Sequence, residues 1–229
     1  MDFDKSSQIT NTKQLKDSYD EIYRRAPIKE SEEHYRWVAK VLDPIKGKIL
    51  LDIACGGGHF LAEAEKAGLS TVGLDLSSEA LRIAKKKAYQ SMIICSDGEA
   101  LPFRNDIFDY AINLGSLEHF LNPQKGLKEM ARVLKKDAKA LLLLPNSYFL
   151  RTLWNVFKTG ATGRTTDQKI DRWATKEEWS QLIEESGLKI QEILKYNYKS
   201  PHTSLKYKIV RPFIPLNLSY SFLFSCVKA

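Results

Sequence analysis

The stretch "ILLDIACGGGHFL", Ile49 to Leu61, constrains this chain more than any other. Its near-continuous apolar start is what a strand buried on both faces requires, and such strands belong to parallel sheets covered by helices. Three consecutive glycines follow, before Phe60, Leu61, Ala64 and Ala67 take up a helical period. The start of that helix offers unpaired N–H groups, and bare glycines let a ligand reach the main chain. A tight turn explains one glycine; three in a row point to a ligand.

Strand-like and helix-like segments alternate from Lys48 onward, so the expected class is α/β with a doubly wound parallel sheet. "STVGLDLS", "SMIICSD", "FDYAINLG" and "KALLLLPN" read as further strands, and "LKIQEILKYNY" and "LSYSFLFSCVK" as two closing ones. Ser77 or Ser78 is placed to cap one helix, Asn122 with Pro123 another, and Thr175 with Glu178 forms a capping box for a third. Leu15 to Arg25 and Glu30 to Leu42 read as two amphipathic helices that cover a site. Ser147 to Arg172 is poorly periodic and reads as an inserted loop or lid. These readings predict a single domain over 1–229: cover helices 1–44, a ligand-binding core 45–146, a lid insertion 147–174, and a C-terminal helix and strands 175–229.

The first residues carry no apolar core behind a basic tip, and no apolar run approaches a membrane span, so a cytoplasmic protein is expected. Cys55, Cys95 and Cys226 form no CxxC pair and read as buried free thiols rather than disulfide or zinc ligands; no metal site is expected. The formal charge is +7, and from Ile193 onward there are only basic residues and no acidic ones. Without a recognised motif that charge does not imply nucleic acid.

The glycine pattern discriminates between ligands. G-x-G-x-x-G begun at Gly56 would need its last glycine at Leu61, and no Lys-Ser or Lys-Thr pair follows to make a P-loop. Asp52 stands just before the turn, which disfavours pyrophosphate and suits a ligand carrying a cation. Asp75 ends the second strand, where a carboxylate accepts from ribose hydroxyls, and Asp97 could accept from an exocyclic amine.

"LLDIACGGGHF", "VGLDLS", "CSDGEALPFRNDIFDYAINLGSLEHF" and "EMARVLKKDAKALLLLPN" together resemble the class I S-adenosylmethionine-dependent methyltransferases, particularly the group that includes the ubiquinone and menaquinone biosynthesis enzymes. The resemblance implies a Rossmann-like seven-stranded sheet in the order 3-2-1-4-5-7-6 with the last strand antiparallel. It implies S-adenosylmethionine as cofactor, released as S-adenosylhomocysteine. Asp52, Ala54, Gly56 and Gly58 would face its methionine part, Asp75 its ribose, Leu76 one adenine face, and Asp97 with Gly98 the adenine edge. Leu114 and Gly115 would lie beneath the sulfonium, and Tyr19 and Tyr23 resemble the tyrosines of a helix that closes over the cofactor. At Ala54 the family more often has glycine.

Methyl transfer by in-line displacement needs alignment and exclusion of water, with a base only for a weakly acidic acceptor. "SLEHF" offers Glu118 and His119, of which His119 is the candidate base. The connection Lys199 to Leu218, with Lys199, His202, Lys206, Tyr207, Lys208, Arg211 and Phe213, is expected beside the acceptor site. The acceptor is therefore expected to be a small or lipid-like molecule, anionic or presented at an anionic membrane surface. A catalytically silent S-adenosylmethionine-binding module and a nicotinamide-dependent oxidoreductase stay open as alternatives; oligomeric state is not specified.

Overall fold

The parallel strands expected from the apolar runs assemble into one sheet in the computed structural model, which describes residues 9–163, 168–197 and 209–229. Its strands are β1 (Ile49–Ile53), β2 (Ser70–Asp75), β3 (Met92–Cys95), β4 (Phe108–Leu114), β5 (Leu134–Pro145), β6 (Leu188–Tyr196) and β7 (Ser221–Lys228). The order is β3-β2-β1-β4-β5-β7-β6, with β7 antiparallel to both neighbours, as expected. Strand order reverses between β1 and β4, so the crevice beyond their carboxyl ends is where a doubly wound sheet receives a ligand.

Side chains alternate between two apolar layers. Leu51, Ile53, Leu142, Leu144, Phe222 and Phe224 pack against α5 (Pro123–Val133) and α7 (Lys176–Glu184) through Leu127, Met130, Trp179 and Ile183. Leu50, Ile112, Leu141, Leu143 and Leu223 pack on the other face against Val38 and Leu42 of α2 (Glu32–Leu42) and Phe60 and Ala64 of α3 (His59–Lys66). Leu50 and Leu51 have no exposed surface, so truncating either to alanine should destabilise by about 2–5 kcal/mol. The caps form as expected: Ser77 for α4 (Ser78–Lys87), Asn122 for α5, and the box of Thr175 and Glu178 for α7.

Three expectations change. The two N-terminal helices do different work: α2 belongs to the core, whereas α1 (Thr12–Arg25) crosses the carboxyl ends of the strands. The segment read as an irregular insertion contains α6 (Leu150–Thr159), which ends at Gly160 in the left-handed region. Its apolar residues Leu150, Leu153, Trp154 and Phe157 have ideal helical spacing, but the stripe faces solvent rather than the core. Of the three free thiols only Cys226 is buried; Cys55 is half-buried, and Cys95 is exposed because β3 is an edge strand.

Candidate active site

The turn after β1 is built from left-handed backbone. Ala54 has φ +59°, Gly56 +53° and Gly58 +71°. Asp75, at the end of β2, holds the turn in place: its carboxylate accepts from the Gly56 N–H at 2.9 Å and the Ser77 N–H at 2.8 Å. Burial pushes the Asp75 carboxyl up to about 6, against the pull of those N–H groups. Asp52 is also buried but receives no hydrogen bond from the described chain, and burial with Asp75 nearby raises it well above the carboxylate range. Two buried carboxyls in one corner of a cavity, one of them without a donor among the described residues, make a place for a cation.

Helix α1 lies over this corner. It is fastened at one end by Thr12, whose hydroxyl donates to Asp97 at 3.1 Å. Midway along, Asp20 accepts from the Ser77 hydroxyl at 2.7 Å and the Glu79 N–H at 3.2 Å. On the same helix Tyr19 and Tyr23, on either side of Asp20, line a cavity of about 660 Å3.

The opposite wall starts at the end of β4. Asn113 donates to the Ile53 carbonyl at 3.1 Å and accepts from the Leu117 N–H at 2.9 Å, joining β1 to the short 3-10 turn Leu117–His119. His119 Nδ1 lies 2.5 Å from the Ile170 carbonyl and therefore carries the proton, leaving Nε2 as the basic nitrogen. Burial lowers the pKa of His119, so the ring is neutral at pH 7. Its neighbour Glu118, with Oε1 at 3.7 Å from Nε2, is pushed up to about 8 by burial, and its Oε2 is buried without a partner among the described residues. Arg172 ties the return leg of the insertion to this turn through the carbonyls of Glu118, Phe120 and Leu121.

Asp52, Ala54, Gly56, Asp75, Leu76, Asp97, Gly98, Leu114, Gly115, His119, Tyr19 and Tyr23 all line this one cavity. Gly58 does not. It caps α3, and a Cβ there would lie 3.0 Å from Cα and Cβ of Ala84, so its smallness serves helix packing; Gly57 is the lining residue instead. Lys199, His202, Lys206, Tyr207 and Lys208 lie outside the described residues. Arg211 and Phe213 are described and are not part of the lining, contrary to expectation.

The sequence reading missed a ring-lined half of the cavity: Tyr35, Phe149, Trp173, Tyr196 and Tyr220. A signal was present, because Tyr196 ends β6 and Tyr220 immediately precedes β7. The pairing of Tyr196 with Ser221 puts both at the sheet edge where ligands bind. Among the described residues no group of three metal-ligating side chains occurs.

Comparison with known proteins agrees with the fold. The methyltransferase domain family matches residues 51–142. An uncharacterized protein of Methanocaldococcus jannaschii is 31% identical over 194 residues, covering 84% of this chain and 71% of that one. The demethylmenaquinone methyltransferase of Corynebacterium kroppenstedtii is 27% identical over 201 residues, covering 81% and 82%. In fold, the chain is similar to an S-adenosylmethionine-dependent methyltransferase of Mesorhizobium loti, with a TM-score of 0.63 at 16% identity, covering 85% of this chain and 98% of that one. The residues present suit S-adenosylmethionine: the donorless Asp52 for its positive charge, Asp75 and Asp97 for hydroxyl and amine donors, and Gly56 for close approach. The chain belongs to the class I S-adenosylmethionine-dependent methyltransferases.

Proposed function

We propose that the acceptor is a small, uncharged molecule with a hydroxyl-bearing ring and an apolar remainder, methylated on oxygen. The supporting observation is the ring-lined half of the cavity, where Tyr35, Phe149, Trp173, Tyr196 and Tyr220 line the same space as His119. Bound S-adenosylmethionine supplies a methyl group already activated on a positive sulfur. The protein's part is to hold, align and desolvate: Asp52 would hold the positive charge and Asp75 a ribose hydroxyl, with Tyr19 and Tyr23 in the lining above them. His119 takes the acceptor's hydroxyl proton at Nε2, with Nδ1 anchored on Ile170. Glu118 stays neutral below about pH 8, so it does not hold His119 in its protonated, useless form.

An anionic acceptor is a poorer fit to the described lining, where the two cations Lys29 and Arg151 stand against Glu30 and Asp171 and leave no surplus of positive charge. The name of the demethylmenaquinone methyltransferase relative points the same way as the rings. The test is S-adenosylhomocysteine formation with paired phenolic acceptors, one alkylated and neutral, the other carboxylated. Faster turnover of the neutral member supports the reading; faster turnover of the carboxylate, or transfer to amines alone, overturns it.

A further inference from the structure

Helix α6 is amphipathic the wrong way round for a soluble surface. Thr152 is its one buried residue, and Arg151, Thr152 and Asn155 line the cavity. The opposite face presents Leu150, Leu153, Trp154, Val156 and Phe157 to solvent, with Phe157 81% and Trp154 54% exposed. Lys158 sits 5.0 Å over the Trp154 ring, which itself stacks on Phe157 at 5.8 Å. From Ser147 to Gly163 the chain carries Arg151 and Lys158 and no acidic residue.

We propose that α6 docks the protein reversibly on an anionic lipid bilayer, with Leu153, Trp154 and Phe157 in the headgroup boundary and Lys158 against lipid phosphates. Apolar and aromatic side chains beside cations and without acids are what an interfacial helix requires. Charge argues against a second copy as the occupant. A two-fold contact would set α6 on α6, bringing the Lys158 side chains of both copies to one apolar interface with no acid in the helix to compensate. A separate segment has the same character: Ile209, Val210 and Phe213 are exposed around Arg211, in a stretch free of acids. Among the described residues no helix is long and apolar enough to cross a membrane, so contact is with the surface. The proposal stands whatever the acceptor is.

The test is co-sedimentation of the full chain with vesicles of phosphatidylcholine alone or mixed with phosphatidylglycerol. Binding to the mixed vesicles should be released by salt, and brominated lipids should quench a fluorescence component that Trp154→Phe removes. Phe157→Glu and Lys158→Glu should each lower the partition coefficient about tenfold. Neither residue lines the cavity, so S-adenosylhomocysteine affinity and thermal midpoint serve as controls that should hold. Unchanged partition of Phe157→Glu overturns the proposal. So does a dimer, seen by light scattering, that Phe157→Glu dissociates while lipid binding persists.

Discussion

The Tyr23 hydroxyl occupies the space that a side chain at position 56 would need, so the glycine turn and the helix above it are shaped to each other. Gly56→Ala should therefore destabilise twice over, through its φ of +53° and through the collision, by about 1–3 kcal/mol in all. Adding Tyr23→Phe should restore the steric part, because the ring carbon Cζ would lie 3.5 Å from the new methyl, an ordinary contact. Thermal unfolding of the single and double variants checks this, and absence of any restoration would separate Tyr23 from the turn.

Asp52 trades stability for binding. A buried carboxyl without a donor, next to Asp75, is a liability until a cation arrives. Asp52→Asn should raise the unfolding midpoint of the free protein while weakening S-adenosylmethionine by about 1–3 kcal/mol, roughly five- to 150-fold. Calorimetric titration beside a melting curve reads both; a variant that loses both stability and affinity would make Asp52 structural.

The buried acids set the sign of the pH dependence. Glu118 is raised to about 8 in the folded chain and returns to the ordinary range on unfolding, so the folded state holds its proton more tightly. That contribution is fully present below the unfolded value near pH 4 to 5 and is lost as pH rises through about 8. Asp75, raised to about 6, adds a smaller loss at lower pH. The free protein should thus melt at lower temperature at pH 8.5 than at pH 5.5, and Glu118→Gln should flatten the difference. An unchanged slope in Glu118→Gln would relocate the titration elsewhere.

His119→Asn should lower kcat by about 10²- to 10⁴-fold if the ring removes the acceptor's proton. Binding of S-adenosylhomocysteine should stay within about twofold, since asparagine can still donate to the Ile170 carbonyl. Persistence of full turnover would show that the acceptor needs no base.

Ala54 occupies a position with φ +59°, which disfavours any side chain. Ala54→Gly relieves that strain but loosens the unfolded chain, and the balance should be a gain of up to about 1 kcal/mol, or roughly 2–4 °C in the melting midpoint. A lower midpoint would mean that the methyl group's packing matters more than the backbone.

The sheet and half of the site were legible because their signals are local. An unbroken apolar run such as "KILLDIA" can only be a doubly covered strand, and Asp52, Asp75 and Asp97 follow strand ends that the same runs mark. What stayed hidden depends on partners far along the chain. α1 and α2 are both amphipathic, and only the sheet face that receives Val38 and Leu42 makes one of them core. The stripe of α6 has a perfect period, but periodicity carries no direction, and here the polar face turned inward. Glu118 is an ordinary acid on paper; burial, with the Asp171 charge added to it, keeps it neutral, and Asp171 arrives on the return leg that Arg172 ties to the Glu118 carbonyl.

Thr12 and Asp20 fasten α1 to the residues that follow β3 and β2, the same strand ends whose carboxylates face the cavity. A spent cofactor leaving past α1 must wait for those bonds to open, while fresh cofactor finds its site complete only once they have closed again. Trimming one hydroxyl, as in Thr12→Val, should therefore loosen that end of the helix and quicken exchange of the methyl donor, read as a faster off-rate for S-adenosylhomocysteine.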